Sequence, residues 1–268
     1  MLFDVDGVLC DLHQKRVIYP ELLDLLANLL KLDTPLGFNT GRSTAWVQQQ
    51  VVEPLYQLHP ELMSLAEFIV IGEKGMQWSE ISAMGAAQNC DDTVTLPAQL
   101  VTQVQQLVAS EYSGSMFFDD TKSTMISVEM HDGFQLDDYQ RIQDAFRAGV
   151  DHLLSTLDLQ SRFKIDCNQI ALDIQSKRAG KDLGAKRFSH WLTQRGITVD
   201  EIITFGDSLS DIAMADELTC VTPSAKRTQV SFVYVGPNGT SQFGERSFEV
   251  IDQGEYSLGT LRFLKRLV

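Results

Sequence analysis

Leu2-Phe3-Asp4-Val5-Asp6-Gly7-Val8-Leu9 is the most informative stretch of this chain, because an apolar strand runs directly into two carboxylates and a glycine. Side chains alternate between the faces of a strand, so Asp4 and Asp6 would share one face if the strand continued. Gly7 favours a turn that exposes backbone amides. Two carboxylates facing one point suit a hard divalent cation such as Mg²⁺. One of them can act as a nucleophile while its neighbour carries protons.

A second apolar strand with acidic residues at its end lies in Ile202-Ile203-Thr204-Phe205-Gly206-Asp207-Ser208-Leu209-Ser210-Asp211. Asp207 and Asp211 are four residues apart, so they lie on one face if the turn leads into a helix. The simpler alternative is that Asp207 or Ser208 caps a helix that begins near Leu209. A capping role does not exclude metal binding, and it leaves the second acid unexplained.

Two further segments carry groups that suit a phosphate. In Leu36-Gly37-Phe38-Asn39-Thr40-Gly41-Arg42-Ser43, a short strand ends at Asn39, Thr40 offers a hydroxyl and Gly41 offers a flexible amide. A helix start with small residues binds phosphate well, although such a segment by itself is more often a capped strand-to-helix turn. Lys181 begins another predicted helix, where the helix dipole disfavours a cation. That misfit indicates a role such as neutralising a phosphate, against the alternative of a solvated surface lysine.

Composition narrows the classes of partner. The chain has 268 residues and a formal net charge of −14, which argues against nucleic acid and anionic membranes as partners because both need a basic face. There is no apolar run long enough to span a membrane and no charged-then-apolar signal at the N-terminus. A site for anionic phosphates would have to create its own positive field from a metal ion, Lys181, Arg42 and backbone amides.

The cysteines indicate the cellular compartment. Cys10, Cys90, Cys167 and Cys220 are widely scattered and form no Cys-x-x-Cys pair. This arrangement argues against a zinc site and predicts four reduced thiols in a cytoplasmic protein.

Strands and helices alternate at both ends of the chain, which predicts a parallel α/β sheet with its sites at the carboxyl ends of the strands. Residues from about 77 to 176 have a different character, with a hairpin expected at 75–83 and further antiparallel strands and helices. After this segment, we expect among other elements a strand at 218–222, a helix at 223–230 and a surface loop at 236–244.

Taken in their order along the chain, the four segments resemble the motifs of the haloacid dehalogenase (HAD) superfamily of phosphohydrolases. The first motif falls on Asp4 and Asp6, the second on Thr40, the third on Lys181, and the fourth on Asp207 and Asp211. About 140 residues separate Thr40 from Lys181, far more than a single crossover needs. In this superfamily, an insertion at that point is a type C2 cap.

The resemblance therefore implies two domains. The first is an α/β, Rossmann-like parallel-sheet core at residues 1–76 plus 177–268, and the second is an inserted α+β cap of the C2 type at residues 77–176. The most similar group is IIB, which includes Cof-like, sucrose-phosphate and trehalose-phosphate phosphatases.

The resemblance also implies a mechanism. The protein would be a Mg²⁺-dependent phosphatase of a small phosphorylated metabolite, above all a sugar phosphate, with Asp4 as the nucleophile and Asp6 as the proton carrier. Asp4, the backbone carbonyl of Asp6, and Asp207 would hold Mg²⁺, with Asp211 in support. Residues expected to bind the substrate are Thr40, Gly41, Arg42, Lys181 and, on the cap, Asn168.

Some alternatives stay open. A phosphosugar mutase shares the chemistry, and a non-catalytic sensor could use the same fold. The fourth motif departs from the usual Gly-Asp-x-x-Asn-Asp because Ser210 replaces the asparagine. Only three residues precede Asp4, so we expect either a short first strand or a natural start further upstream. The expected partner is a small phosphomonoester, and both a monomer and a homodimer are compatible with the sequence.

Overall fold

A computed structural model describes residues 1–91, 93, 96–221 and 228–267, without the side chain of residue 221. These residues form two compact units, of which one comprises Met1–Cys90 with Gly180–Val268 and the other comprises Asp91–Ala179. The described strands, in chain order, are β1 Leu2–Phe3, β2 Leu36–Asn39, β3 Phe68–Gly72, β4 Gln77–Ser82, β5 Gly85–Cys90, β6 Met116–Phe118, β7 Ile126–Met130, β8 Phe163–Cys167, β9 Ala171–Ser176, β10 Glu201–Gly206, β11 Gln229–Tyr234 and β12 Glu249–Asp252.

The helices bracket these strands. The α-helices, in chain order, are α1 Pro20–Lys31, α2 Thr44–Val47, α3 Glu53–Leu58, α4 Ala98–Leu107, α5 Leu136–Thr156, α6 Lys181–Gln194, α7 Ile212–Val221 and α8 Ser257–Leu264. A π-helical segment, Gln48–Val52, joins α2 to α3, and another, Val108–Tyr112, follows α4. Among the described residues, no helix is both long enough and apolar enough to cross a membrane.

The first unit is built on an eight-stranded sheet with the order β12-β11-β10-β1-β2-β3-β4-β5. The six strands from β12 to β3 are parallel, and the hairpin β4–β5 adds two antiparallel strands at one edge. The predicted mainly parallel α/β sheet is confirmed. Because the chain leaves β1 first towards β2 and later returns to its other side at β10, a crevice opens at the carboxyl ends of these strands.

Apolar residues cover both faces of this sheet, as expected for a parallel sheet between two layers of helices. Phe3 belongs to the core on the side of α1 and α8, whereas its neighbour Leu2 belongs to the core on the side of α6 and α7. The Phe3 and Phe205 rings stack across β1 and β10 with their centres 4.4 Å apart and their planes 15° apart. This stack lies directly beneath the point where both strands deliver their acidic residues.

The second unit contains a separate antiparallel sheet with the order β6-β7-β9-β8. Its apolar residues share one core with α4 and α5, including Val104 of α4, Tyr139 and Phe146 of α5, and Ile126 and Leu172 of the sheet. The predicted α+β composition of the inserted segment is confirmed, because the helices cover one face of an antiparallel sheet.

The hairpin differs from its prediction at 75–83. It is longer and extends the large sheet, since residues 77–81 of β4 pair with β3, for example Trp78 opposite Ile71. The sequence pattern places residues 77–90 in the insertion, because the small and polar side chains of β5 give no strand signal. The compact units divide at 90/91 and 179/180, and the domain boundaries proposed from sequence stay predictions.

The strand predicted at 218–222 is wrong for its described part, because α7 continues to Val221. The helix buries Leu218 next to Met214 and Ala215, and the hydroxyl of Thr219 donates to the carbonyl oxygen of Ala215 at 2.8 Å. Tertiary burial thus outweighs the strand propensity of this segment. Residue 222 and most of the helix predicted at 223–230 lie outside the described residues, and of that range 229–230 begin β11.

The strand β12 has no counterpart in the prediction, because only two apolar residues stand between Glu249 and Asp252.

Replacing Phe205 with alanine tests the aromatic stack. Phe205 is fully buried, so we expect Phe205→Ala to lower the free energy of unfolding by about 3–5 kcal/mol through lost burial and a cavity. Urea denaturation followed by circular dichroism measures this. The matched control is Phe117→Ala, because Phe117 is 39% exposed and its truncation should cost clearly less. Equal losses for both variants would contradict the packing described.

Candidate active site

The register of three strands brings the first acidic residues together. Phe3 of β1 lies opposite Phe205 of β10 and opposite Phe38 of β2. Asp4 therefore emerges level with the ends of both neighbouring strands, and its backbone amide donates to the carbonyl oxygen of Phe205 at 2.9 Å. Asp207 follows the end of β10. The parallel pairing of β1 thus places the first and fourth motifs side by side, as predicted from their positions after strands.

Lys181, the first residue of α6, lies at the centre of this group. Its Nζ atom is 2.5 Å from Oδ1 of Asp4 and 3.0 Å from Oδ1 of Asp211. It also donates to the backbone carbonyl of Asn39 at 2.7 Å, and the Asn39 side chain donates back to the carbonyl of Lys181 at 2.9 Å. These two hydrogen bonds therefore connect the start of α6 to the end of β2. Sequence reasoning missed Asn39, whose only signal was its position at a strand end.

Three carboxylates surround this single ammonium group. Asp4, Asp207 and Asp211 each offer an oxygen atom, and these atoms lie within 4.8 Å of one another. With all three carboxylates ionised, one lysine would leave two negative charges unbalanced. The Oδ1 atom of Asp211 is buried, and Lys181 contacts it at 3.0 Å as an ion pair. A divalent cation with a preference for oxygen ligands fits both the charge and the donor set.

Burial and the charges of neighbouring groups shift the pKa values of the clustered residues. Burial, followed by the Asp211 charge, raises the pKa of Asp207 to about 7. Burial and Asp211 also raise the pKa of Asp4 well above its usual range, against the lowering effect of Lys181. Burial by itself would lower the pKa of Lys181, but Asp211 and Asp4 outweigh it and raise that pKa. Lys181 is therefore a permanent cation, and the carboxylates lack a further one.

Asp211 is oriented by the turn that precedes α7. Its Oδ2 atom accepts from the backbone amide of Ser208 at 3.0 Å and from the hydroxyl of Ser208 at 2.6 Å. The capping role predicted for Ser208 is real, and it fixes one oxygen of Asp211 while the other faces Lys181. The hydroxyl of Ser210 lies 2.9 Å from that of Ser208, and Ser210 itself is exposed. Ser210, which departs from the usual motif, thus contacts the helix-capping hydroxyl of Ser208 from the solvent side.

Two glycines permit the acids to approach so closely. Gly7 has a φ of +74°, and a Cβ atom on it would lie 2.2 Å from Oδ2 of Asp207. A Cβ atom on Gly206 would lie 2.2 Å from Cβ of Asp211. Both contacts are far below van der Waals separation, so a side chain at either position would displace a carboxylate of the cluster.

The loop after β2 presents the predicted Thr40-Gly41-Arg42 segment to the same edge of the sheet. Thr40 is buried, and its hydroxyl oxygen accepts from the backbone amide of Arg42 at 3.1 Å, which leaves its proton to donate. The guanidinium group of Arg42 contacts the carboxylate of Asp6, with Nε 3.0 Å from Oδ2. Asp6 is predicted as the proton carrier and, through its backbone carbonyl, as a metal ligand. Its side chain is directed to Arg42 and is not one of the three clustered carboxylates.

Lys74 is a cation near this loop that sequence reasoning did not assign. Its backbone amide donates to the carbonyl of Thr40 at 3.0 Å, and its side chain passes Gly41, whose added Cβ would lie 3.6 Å from Cε of Lys74. Glu73 and Lys74 both have positive φ angles of 48° and 55°. Such backbone strain is common at functional sites. It is visible only in the folded structure, so Lys74 could not be assigned from the sequence.

The predicted substrate residue Asn168 has a local role, and the thiol of Cys10 is unsuited to act as a nucleophile. Asn168 lies in the second unit, where its Oδ1 atom accepts from the backbone amides of Ile170 and Ala171 at 2.9 and 2.8 Å. This oxygen shapes the turn between β8 and β9, and a role of Asn168 with substrate stays a prediction. Burial, followed by the Asp6 charge, raises the pKa of the Cys10 thiol, which disfavours the nucleophilic thiolate.

Sequence comparisons give no relatives for this chain. It matches no protein-family model and no curated protein sequence.

Comparison with solved structures identifies the fold. The C-terminal domain of C. albicans trehalose-6-phosphate phosphatase aligns over 99% of this chain and 90% of its own, with 15% identity and a TM-score of 0.67. A haloacid dehalogenase-like hydrolase from Bacteroides thetaiotaomicron aligns over 100% and 98%, with 11% identity and a TM-score of 0.66. A HAD superfamily phosphatase from the same organism aligns over 99% and 93%, with 16% identity and a TM-score of 0.55.

At these identities the likeness concerns the fold. The chain has the fold of the HAD-like phosphatases, with a mainly parallel core sheet and a separate antiparallel sheet that matches a C2 cap, as in the IIB group. The resemblance inferred from the four motifs is confirmed at this level.

The raised pKa of Asp207 predicts how stability depends on pH. Without metal, the folded protein keeps the proton of Asp207 up to about pH 7, whereas the unfolded chain releases it near pH 4. Asp207 therefore destabilises the fold progressively as the pH rises from about 4 to 7. We expect Asp207→Asn, which cannot ionise, to melt at a higher temperature than wild type at pH 8 and at a similar temperature near pH 4.5.

Thermal melting in the presence of a chelator at pH 4.5, 6 and 8 measures this difference. Asp200→Asn is the matched control, because Asp200 is exposed and its replacement should leave the melting temperature nearly unchanged at every pH. A constant difference between Asp207→Asn and wild type across this range would contradict the assigned environment of Asp207.

Proposed function

We propose that this protein is a Mg²⁺-dependent phosphatase that hydrolyses a small phosphorylated metabolite through an aspartyl-phosphate at Asp4. The observation that carries the proposal is the contact of Lys181 with both Asp4 and Asp211, beside Asp207, at the crevice of a HAD-type sheet. A nucleophilic carboxylate, a fixed cation and a set of oxygen ligands that suits a divalent cation are the parts that phosphoryl transfer requires.

Asp4 is held for attack on phosphorus. Its Oδ1 atom accepts from the backbone amide of Val5 at 2.6 Å and from Lys181, so one oxygen is fixed and the other can attack. The bond from phosphorus to the substrate oxygen breaks as the new bond to Asp4 forms. Asp6 gives a proton to the departing alcohol, and in the second step it takes a proton from the water that hydrolyses the aspartyl-phosphate.

The surrounding groups compensate the charge of the phosphate. Lys181 places its ammonium beside Asp4, and the hydroxyl of Thr40 keeps a proton to donate to a phosphoryl oxygen. Asp4, Asp207 and Asp211, with the backbone carbonyl of Asp6, would hold Mg²⁺. When bound, this ion would supply the remaining positive charge that draws a phosphate dianion to an acidic protein.

The proposed substrate class is sugar phosphates. The support is the similarity of the fold to trehalose-6-phosphate phosphatases. At 14–15% identity this support names a class and no individual substrate. A screen of phosphorylated metabolites for release of inorganic phosphate would identify the substrate.

Asp4→Asn tests the proposed nucleophile. An amide cannot form the aspartyl-phosphate, so we expect release of inorganic phosphate from an aryl phosphate with Mg²⁺ to fall by at least about a thousandfold. The change is nearly isosteric, so circular dichroism should stay like that of wild type. Asp200→Asn again serves as the exposed control, with activity equal to wild type.

Wild-type activity should also vanish with a chelator and return with added Mg²⁺. Substantial turnover by purified Asp4→Asn would overturn the assignment of the nucleophile. A wild-type protein that releases no phosphate from the whole metabolite panel would favour a sensor on this fold, and transfer of the phosphoryl group within a sugar would favour a mutase.

A further inference from the structure

Arg42 contacts both oxygen atoms of the Asp6 carboxylate. Nε of Arg42 is 3.0 Å from Oδ2 of Asp6, and Nη2 is 3.3 Å from Oδ1. Two parallel contacts fix both the position and the plane of a carboxylate, which a single ammonium group cannot do. The side chains are only 21% and 27% exposed, so solvent screens this pair less than a surface ion pair.

Arg42 is itself held in place by its backbone and by an aromatic ring. Its amide donates to the hydroxyl of Thr40 at 3.1 Å, and its carbonyl accepts from the amide of Glu73 at 2.8 Å. The guanidinium carbon lies 5.0 Å from the centre of the Trp46 ring, within the range of a cation–π contact.

Trp46 is fixed in turn by the helix start. The hydroxyl of Ser43 caps α2 by accepting from the amide of Trp46 at 3.2 Å. The ring is partly buried against the core that contains Phe3 and Phe38. Helix cap, aromatic ring, guanidinium and carboxylate thus form one continuous series of contacts from the core to Asp6.

The ion pair indicates which step it serves. The contact fixes both oxygen atoms of the Asp6 carboxylate, and a carboxylate oxygen is the group that accepts a proton from water. In the proposed mechanism, this is the second step, in which water attacks the aspartyl-phosphate, the bond from phosphorus to Asp4 breaks, and Asp6 accepts the water proton.

We propose that Arg42, supported by Trp46, is a positioning residue that orients the Asp6 carboxylate for hydrolysis of the aspartyl-phosphate. This inference rests on the proposed phosphatase function and gives Arg42 a role different from the substrate contact predicted from sequence. Loss of the contact should slow the second step and spare the first when the leaving group needs no proton.

p-Nitrophenyl phosphate provides that condition, because its phenolate leaves without protonation. Stopped-flow measurement with saturating Mg²⁺ gives the rate of phenolate release in the first turnover and in the steady state. We expect Arg42→Lys to raise the ratio of these two rates about tenfold over wild type, with a burst that approaches one phenolate per enzyme, because a misplaced base loses part of its contribution. Trp46→Leu should shift the ratio in the same direction by a smaller factor, and Trp46→Phe should restore it.

Arg195→Lys is the matched control. Arg195 also lies over a tryptophan, 5.3 Å from the ring centre of Trp191, and also pairs with carboxylates, Glu67 and Glu80. Its replacement should leave the ratio at the wild-type value. If Arg42→Lys does not fold, as judged by circular dichroism, Trp46→Leu decides the question.

An increase in KM at unchanged kcat would make Arg42 a phosphate ligand and would overturn the inference. A fall in kcat without a burst, or an unchanged ratio, would overturn it as well. These failures differ from failure of the proposed function, in which wild type itself would release no phosphate or Asp4→Asn would stay active.

Discussion

The ammonium group of Lys181, which joins Asp4 and Asp211 in a buried crevice, is the interaction on which the rest of the site depends. It links the first strand, the start of α6 and the turn before α7, three parts of the chain that are distant in sequence. Without it, three neighbouring carboxylates would face one another with no cation from the protein, at a cost of several kcal/mol per buried charge. The lysine compensates this repulsion only in part, and the three carboxylates suit a divalent cation as a further partner.

The backbone around the cluster is adapted to this concentration of acids. Gly7 and Gly206 leave the space that the carboxylates of Asp207 and Asp211 occupy, and the Ser208 cap fixes the second oxygen of Asp211. The parallel pairing of β1 with β10 sets the level at which Asp4 emerges. Packing of the Phe3 and Phe205 rings beneath this point makes the position of the acids a consequence of the core.

The sequence predicts the parallel core and the meeting of Asp4, Lys181, Asp207 and Asp211, because each follows a strong strand or begins a helix. Prediction from sequence fails where the secondary structure of a segment depends on a neighbouring element of the fold. The hairpin strand β5 has small, polar residues and forms because an edge of β4 is open to it. Residues near Leu218 continue a helix because burial outweighs their strand propensity.

Side-chain partners could be predicted least, since they depend on the folded geometry. The pattern Thr40-Gly41-Arg42 suggests a phosphate loop, yet only the structure pairs Arg42 with Asp6 and places Trp46 behind it. The reciprocal contacts of Asn39 with Lys181 are equally invisible in a single sequence.

Chemical trapping during turnover tests the proposed chemistry most directly. An aspartyl-phosphate is reduced by borohydride to homoserine, which mass spectrometry of peptides can locate. Quenching the enzyme during hydrolysis of an aryl phosphate with Mg²⁺ should yield homoserine at position 4 alone, and omission of the substrate should yield none. Homoserine at another aspartate, or steady phosphate release with none at position 4, would contradict the proposal that Asp4 forms the covalent intermediate.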